Sequence, residues 1–220
     1  MQDMEKRKID PKHIVKKLLP VLILLFAGYH SVFFRKLDEV RAEKSKKAFD
    51  PAEYAKGFWE KKLLPNLDQG IGLSELIDLL LMEPDKAFED YSHALGIGNI
   101  RYFLVKGKAH VTEVREDEIL VNLNGPEPIS FRIATEFIFG NAVRDASGLI
   151  SINEFNNTMD FNNVSAEINQ LIRTEVIPAI KDKVKVGDGL VFYGAIELNK
   201  QHLDLTDLEL IPIRIEPISQ

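Results

Sequence analysis

Two hydrophobic rhythms divide this chain. From Leu18 to Phe34 the sequence LLPVLILLFAGYHSVFF carries no formal charge at neutral pH. As a helix it would reach roughly 26 Å at about 1.5 Å per residue, a little less than a hydrocarbon core of about 30 Å. Lys16, Lys17, Arg35 and Lys36 flank it and can snorkel to make up the difference. The pattern predicts a transmembrane signal anchor over 18–34, a basic cytoplasmic tail over 1–17 and a charged stalk over 35–48. A cleaved signal peptide competes with the anchor, because Ala27 and Gly28 follow the apolar run as small cleavage-site residues would. Basic residues are matched on the two sides of the run, six and six, so charge alone does not orient it. The short leading tail favours tail in and body out.

Residues 49–98 read as a helical subdomain. Asp50 can cap and Pro51 is pre-set for a first turn, with Tyr54, Phe58 and Leu63 near one face and Pro65 as the stop. A second helix is predicted from Ser74 through Leu76, Ile77 and Leu80. A third opens at Pro84, carries Ala87, Phe88, Tyr91 and Leu95, and closes on Gly96. Their aromatic stripe reads as core.

At Ile100 the period changes to two. Tyr102, Leu104, Lys106, Lys108 and His110 alternate with Phe103, Val105, Gly107, Ala109 and Val111, giving a long strand expected to kink or bulge at Gly107. Strands follow over 119–123, 129–133, 190–198 and 202–211. Five strands with a terminal hairpin suggest a small Greek-key barrel of the OB type over 99–220. Residues 135–183 interrupt it as an insertion, with a helix over about 163–182 that Pro178 is expected to kink. The fold class is therefore α+β: anchor helix, small helical subdomain, and an OB-like five-stranded β-barrel with a helical insertion.

Composition sharpens the picture in two places. The 220 residues carry a formal charge of −6, but residues 1–48 hold 12 basic and 6 acidic side chains, which leaves 16 against 28 for the remainder. A basic head on an acidic body argues against nucleic acid as a partner and suggests a membrane surface for the head. Cysteine is absent, which excludes disulfides, thiolate metal sites and cysteine nucleophiles.

Chemistry-bearing motifs are sparse. There is no nucleophile elbow, HExxH, phosphate loop or aspartate-rich metal loop. His93 has no second ligand at metal spacing and reads as a surface or capping residue. No catalytic residue, metal or cofactor is expected, and the chain is expected not to be an enzyme. The densest polar set lies in the insertion: Asn141, Arg144, Asp145, Asn153, Asn156 and Asn157. These are the candidate ligand-binding residues. Arg144 could clamp a carboxylate, a phosphate or a sugar diol, with the asparagines adding neutral hydrogen bonds. The reading that weighs more is a buried strut, paired with a carboxylate and backbone carbonyls, with the asparagines as turn caps. Adjacent in sequence, Arg144 and Asp145 are expected to point apart.

The run Gly140-Asn-Ala-Val-Arg-Asp-Ala146, followed by Phe155-Asn-Asn157 and Phe161, resembles an uncharacterised bacterial family of predicted periplasmic lipoproteins. Phe49-Asp50 with Tyr54 and Trp59, Phe103 to Gly107, and Val191 to Ala195 share the resemblance, which covers roughly residues 49–217. It implies a helical subdomain beside an OB-like domain of unknown function, an envelope location, and genes often beside sugar ABC transporters. Many members carry a lipobox cysteine where this chain has Tyr29. The expectation is a protein in the bacterial cytoplasmic membrane, single-pass, with its body facing the periplasm or exterior. There it would act as a binding or accessory protein, touching a sugar transporter component or a small solute. A structural envelope scaffold and a saccharide hydrolase are the alternatives.

Overall fold

A computed structural model describes residues 49–96, 98–125 and 129–218, together with Leu19, Pro20, Val21, Leu24, Phe26, Ala27 and Tyr29. These last seven are helical, and their large apolar side chains are exposed. The remainder of the expected anchor, the tail 1–17 and the stalk 35–48 lie outside the described residues. Among the described residues no helix is long and apolar enough to cross a membrane.

Phe49–Gln220 form one compact unit. It opens with α1 (Pro51–Phe58), which Asp50 caps by accepting from the Ala52 and Glu53 amides at 2.9 and 3.0 Å. The chain does not stop at Pro65. It widens into a π turn over Trp59–Leu63 and tightens into a 3-10 turn over Leu64–Gln69 that contains the proline. After β1 (Ile71–Gly72) come α2 (Leu73–Met82) and α3 (Pro84–Tyr91). The third helix ends four residues before the expected Leu95. The Ser92 hydroxyl donates to the Phe88 carbonyl, and Ser92–His93 turn into a short strand, β2.

The barrel consists of β3 (Ile100–Val114), β4 (Glu118–Leu123), β5 (Ser130–Ala134), β6 (Gly189–Asn199) and β7 (Glu209–Pro217). Neighbours run β3-β4-β5-β7-β6, and β6 closes on β3; the β5–β7 pair is parallel and the others antiparallel. Closure removes the free edges that a five-stranded open sheet would expose. β4 keeps strict alternation, with Ile119, Val121 and Leu123 inward. β3 instead buries Tyr102, Phe103, Leu104 and Val105 in succession. Both its faces are covered there: Phe103 and Val105 share the barrel face with Gly107, where Phe88 of α3 meets Phe103 at 5.3 Å, while Tyr102 and Leu104 on the other face lie against Asn141 and Gly70.

Two details of the strands differ from the sequence pattern. Gly107 does not bulge; its pairing to Phe192 is continuous with the β3–β6 register. It is glycine because a Cβ there would lie 2.7 Å from the Phe192 ring, which fills the barrel. The bulge falls instead between Val111 and Glu113. The last strand begins at Glu209 rather than His202. Asn199 and Asp204 side chains accept backbone amides at Gln201, His202 and Thr206 and hold 200–206 as turns. Leu203 and Leu205 imitate a strand in sequence but simply cover the core from that loop.

Candidate functional site

The insertion lays a long helix beside a short one. Asn157 caps α5 (Thr158–Leu171), accepting the Asp160 amide at 2.8 Å. A π turn over Ile172–Val176 then leads into α6 (Ile177–Lys181), and the short helix is α4 (Ala142–Ala146). The expected disturbance at Pro178 thus takes the form of this widened turn. Proline has no N–H to return to the Thr174 carbonyl, and the wider turn absorbs the missing bond.

Facing α5, Gly140 adopts φ +75° and turns the chain into α4. Between them lies a cavity of about 410 Å³. Its walls are Ile138, Phe139 and Gly140 from the loop, Asn141 and Arg144 from the start and middle of α4, and Asn162, Ser165, Ala166, Asn169 and Arg173 from α5 and its π turn.

Arg144 is 3% exposed and its guanidinium is fully engaged. Nε and Nη2 donate to the two Asp145 oxygens at 2.6 and 3.1 Å, and Nη1 donates to the Phe161 carbonyl at 3.3 Å. The Phe161 ring lies 3.6 Å beneath it. The expectation that Arg144 and Asp145 point apart is therefore corrected. The flexible arginine stem folds back so that the planar fork meets its neighbour, and the ring clamps it there. Asn141 donates to the second Asp145 oxygen and accepts from the Tyr102 hydroxyl at 3.3 Å. Burial, then the nearby Glu197 and Asp145 charges, push the Tyr102 phenol up to about 12.

Arg144 consequently acts as the strut, and the cavity's free capacity lies elsewhere. Ser165 is 7% exposed, and its hydroxyl has no hydrogen-bond partner. A helical serine normally returns its hydroxyl to the carbonyl four residues back, as Thr174 does to Gln170 at 2.9 Å. For Ser165 that carbonyl is Phe161. One of its lone pairs serves the helix and the other is taken by Arg144. Asn169, also buried, spends its amide on the Gly140 carbonyl at 2.8 Å and keeps its oxygen free to accept. Arg173 donates to the Ile138 carbonyl at 2.5 Å and to Gln170 at 3.1 Å. Among the described residues it has no carboxylate within ion-pair distance.

Of the six residues proposed from sequence, Asn141 and Arg144 line the cavity and Asp145 supports Arg144 from behind. Asn153, Asn156 and Asn157 do not line it. Asn153 lies in a 3-10 turn whose capping box is Ser151 and Glu154, Asn156 is exposed, and Asn157 is the α5 cap. Asn162, Ser165, Asn169 and Arg173 were missed. Their offsets of three, seven and eleven put them on one helical face, a polar stripe that the helix's own periodicity could have exposed.

On the far side of this wall the aromatic residues join the helices to the insertion. Phe49, Tyr54, Phe155 and Phe161 pack with ring centroids 5.0–5.5 Å apart. The Tyr54 hydroxyl donates to Glu154 at 2.9 Å, and burial together with that carboxylate raises its phenol to about 12. A smaller hollow of about 200 Å³ lies between the β3–β4 and β6–β7 loops. Arg115 and Arg132 meet four carboxylates there, Glu113, Glu118, Asp207 and Glu209.

The fold has a solved counterpart. A crystal structure at 1.90 Å of an OB-fold protein from Thermotoga maritima MSB8 aligns with a TM-score of 0.69 and 26% identity, covering 78% of this chain and 99% of that one. No curated protein matches. The model of one family, described as "Predicted periplasmic lipoprotein (DUF2291)", matches residues 22–216, so this chain belongs to that family of periplasmic lipoproteins of unknown function.

Proposed function

We propose that this is a membrane-anchored, extracytoplasmic binding or accessory protein whose insertion cavity takes a small polar solute. Family membership supports the periplasmic location. The single-pass anchor over 18–34 is the finer part of the reading. It rests on the uncharged run and on the absence of cysteine from all 220 residues, so no thioether-linked lipid can form within them. An accessory role beside a sugar transporter rests on the family resemblance. Nucleic acid is a poor partner, since the loop end of the barrel sets two guanidiniums against four carboxylates.

One observation carries the binding reading: the Ser165 hydroxyl is buried, unpartnered and part of the cavity wall. A buried hydroxyl without a bond costs free energy, and folding alone gives no reason to keep it. Its neighbours supply a free amide oxygen at Asn169 and, at Arg173, a guanidinium with no carboxylate partner among the described residues. The reading is binding rather than turnover, because the site's carboxylate, Asp145, is already held by Arg144 and Asn141.

The test is thermal unfolding of the full chain in detergent against sugars and small polar solutes. A bound solute at about a hundredfold excess over its Kd adds about 2.7 kcal/mol, a rise of roughly 5–10 °C for a protein of this size. Ser165→Ala should cut that rise while leaving the ligand-free protein as stable or about 1 kcal/mol more stable. A Ser165→Ala variant destabilised on its own, with no solute shifting the native chain, would favour the scaffold instead.

A further inference from the structure

Phe139 forms part of two cavities. One is the polar cavity under α5; the other, about 330 Å³, lies against the barrel and is lined by Arg132, Phe137, Glu197, Asp207 and Glu209 among others. Phe137 and Phe139 are 65% and 69% exposed and stack at 6.5 Å. Leaving two large rings in water is costly, at about 25 cal/mol per Å² of apolar surface, and neither ring packs into the core. The two sides of this aromatic divide carry opposite charge. On the inner side Arg144 is neutralised by Asp145, which leaves Arg173, about two helical turns beyond the unpartnered Ser165 hydroxyl in the same cavity wall, as the cation with no carboxylate partner among the described residues. On the outer side three carboxylates stand around one guanidinium: Asp207 and Glu209 both pair with Arg132, and Glu197, held against the Tyr102 hydroxyl, has no ion pair among the described residues.

We propose that the two cavities form one site for a zwitterionic solute of the amino-acid type. Its oxyanion end sits at Ser165 and Arg173, and its ammonium end crosses Phe139 to face Glu197. This deepens the solute-binding reading and rests on it. The chemistry at each end follows from what is unsatisfied there. A carboxylate accepts from a hydroxyl and a guanidinium and pairs with the surplus positive charge. An ammonium is attracted both to the ring faces and to the uncompensated carboxylates. A dianion would be repelled by the outer lobe, and a neutral sugar would leave Arg173 and Glu197 without a counter-ion.

Calorimetric titration of the full chain in detergent decides the matter with a graded series: glycine, 4-aminobutyrate and 6-aminohexanoate. Hexanoate, hexylamine and ribose serve as single-ended and neutral controls. One ω-amino acid should bind at least tenfold more tightly than hexanoate or hexylamine. Glu197→Gln should remove most of that advantage without changing hexanoate binding, and Ser165→Ala should weaken hexanoate and the amino acid alike. Equal or tighter binding of ribose or hexanoate overturns the zwitterion but leaves the solute cavity standing. An unchanged advantage in Glu197→Gln overturns it too. Failure of every probe to bind removes both the zwitterion and the cavity reading beneath it.

Discussion

Arg144→Ala is expected to lower the stability of the folded unit by about 3–5 kcal/mol, the range for removing one partner of a buried ion pair. The substitution strands the Asp145 carboxylate, whose side chain is only 3% exposed, and strips the second bond from the Phe161 carbonyl. It also empties the space over the Phe161 ring, where the guanidinium lies at 3.6 Å. The thermal midpoint should fall by about 10 °C. Asp145→Asn placed on top should recover part of the loss, because the stranded charge is then gone, and the two changes should be clearly non-additive. If Arg144→Ala left the midpoint within a degree or two, the guanidinium would not be a strut. The freed Phe161 carbonyl also becomes available to Ser165, so the variant should lose solute binding together with stability.

The second large effect lies in the barrel. Phe192→Ala removes a fully buried ring that contacts Phe131 at 5.1 Å and covers Gly107. A loss of about 3–5 kcal/mol is expected from chemical denaturation, as for other buried phenylalanines. Gly107→Ala presses a methyl into the same ring and should cost about 1–3 kcal/mol by overpacking. Combined with Phe192→Leu, Gly107→Ala should cost distinctly less than the sum of the two. Simple additivity would mean that Gly107 is required by the backbone and not by the Phe192 ring.

That glycine shows how far the sequence could be read. Alternation along β3 located the strand, and the α+β class with an OB-like barrel followed from strand count and spacing. What alternation does not carry is the reason for a small residue, since a bulge and a tight tertiary contact both select glycine. Phe192, the partner that decides, lies 85 positions later in the chain. The terminal hairpin failed differently. Leu203 and Leu205 keep a strand-like period, but Asn199 and Asp204 side chains compete for the backbone amides and win. In the insertion, composition drew attention to asparagines at turns, where the residue is favoured for capping. Helical periodicity would have selected the face that holds Asn162, Ser165, Asn169 and Arg173. The unsatisfied state of Ser165 was not legible at all. It depends on Arg144 taking the Phe161 carbonyl, a contact between residues 17 positions apart.

If the cavity walled by α5 is a solute site, side-chain nitrogen NMR will register the solute there. The full chain, labelled with ¹⁵N on asparagine and arginine, would be titrated with each solute of the panel while the Asn162 and Asn169 amides and the Arg173 Nε–H are followed. Saturable shifts are expected at these three groups for at least one solute, with Asn153 and Asn157 unmoved, and those shifts should be lost in Ser165→Ala. Shifts confined to Arg115, which lies outside both cavities, or saturable binding with the α5 face silent, would contradict it.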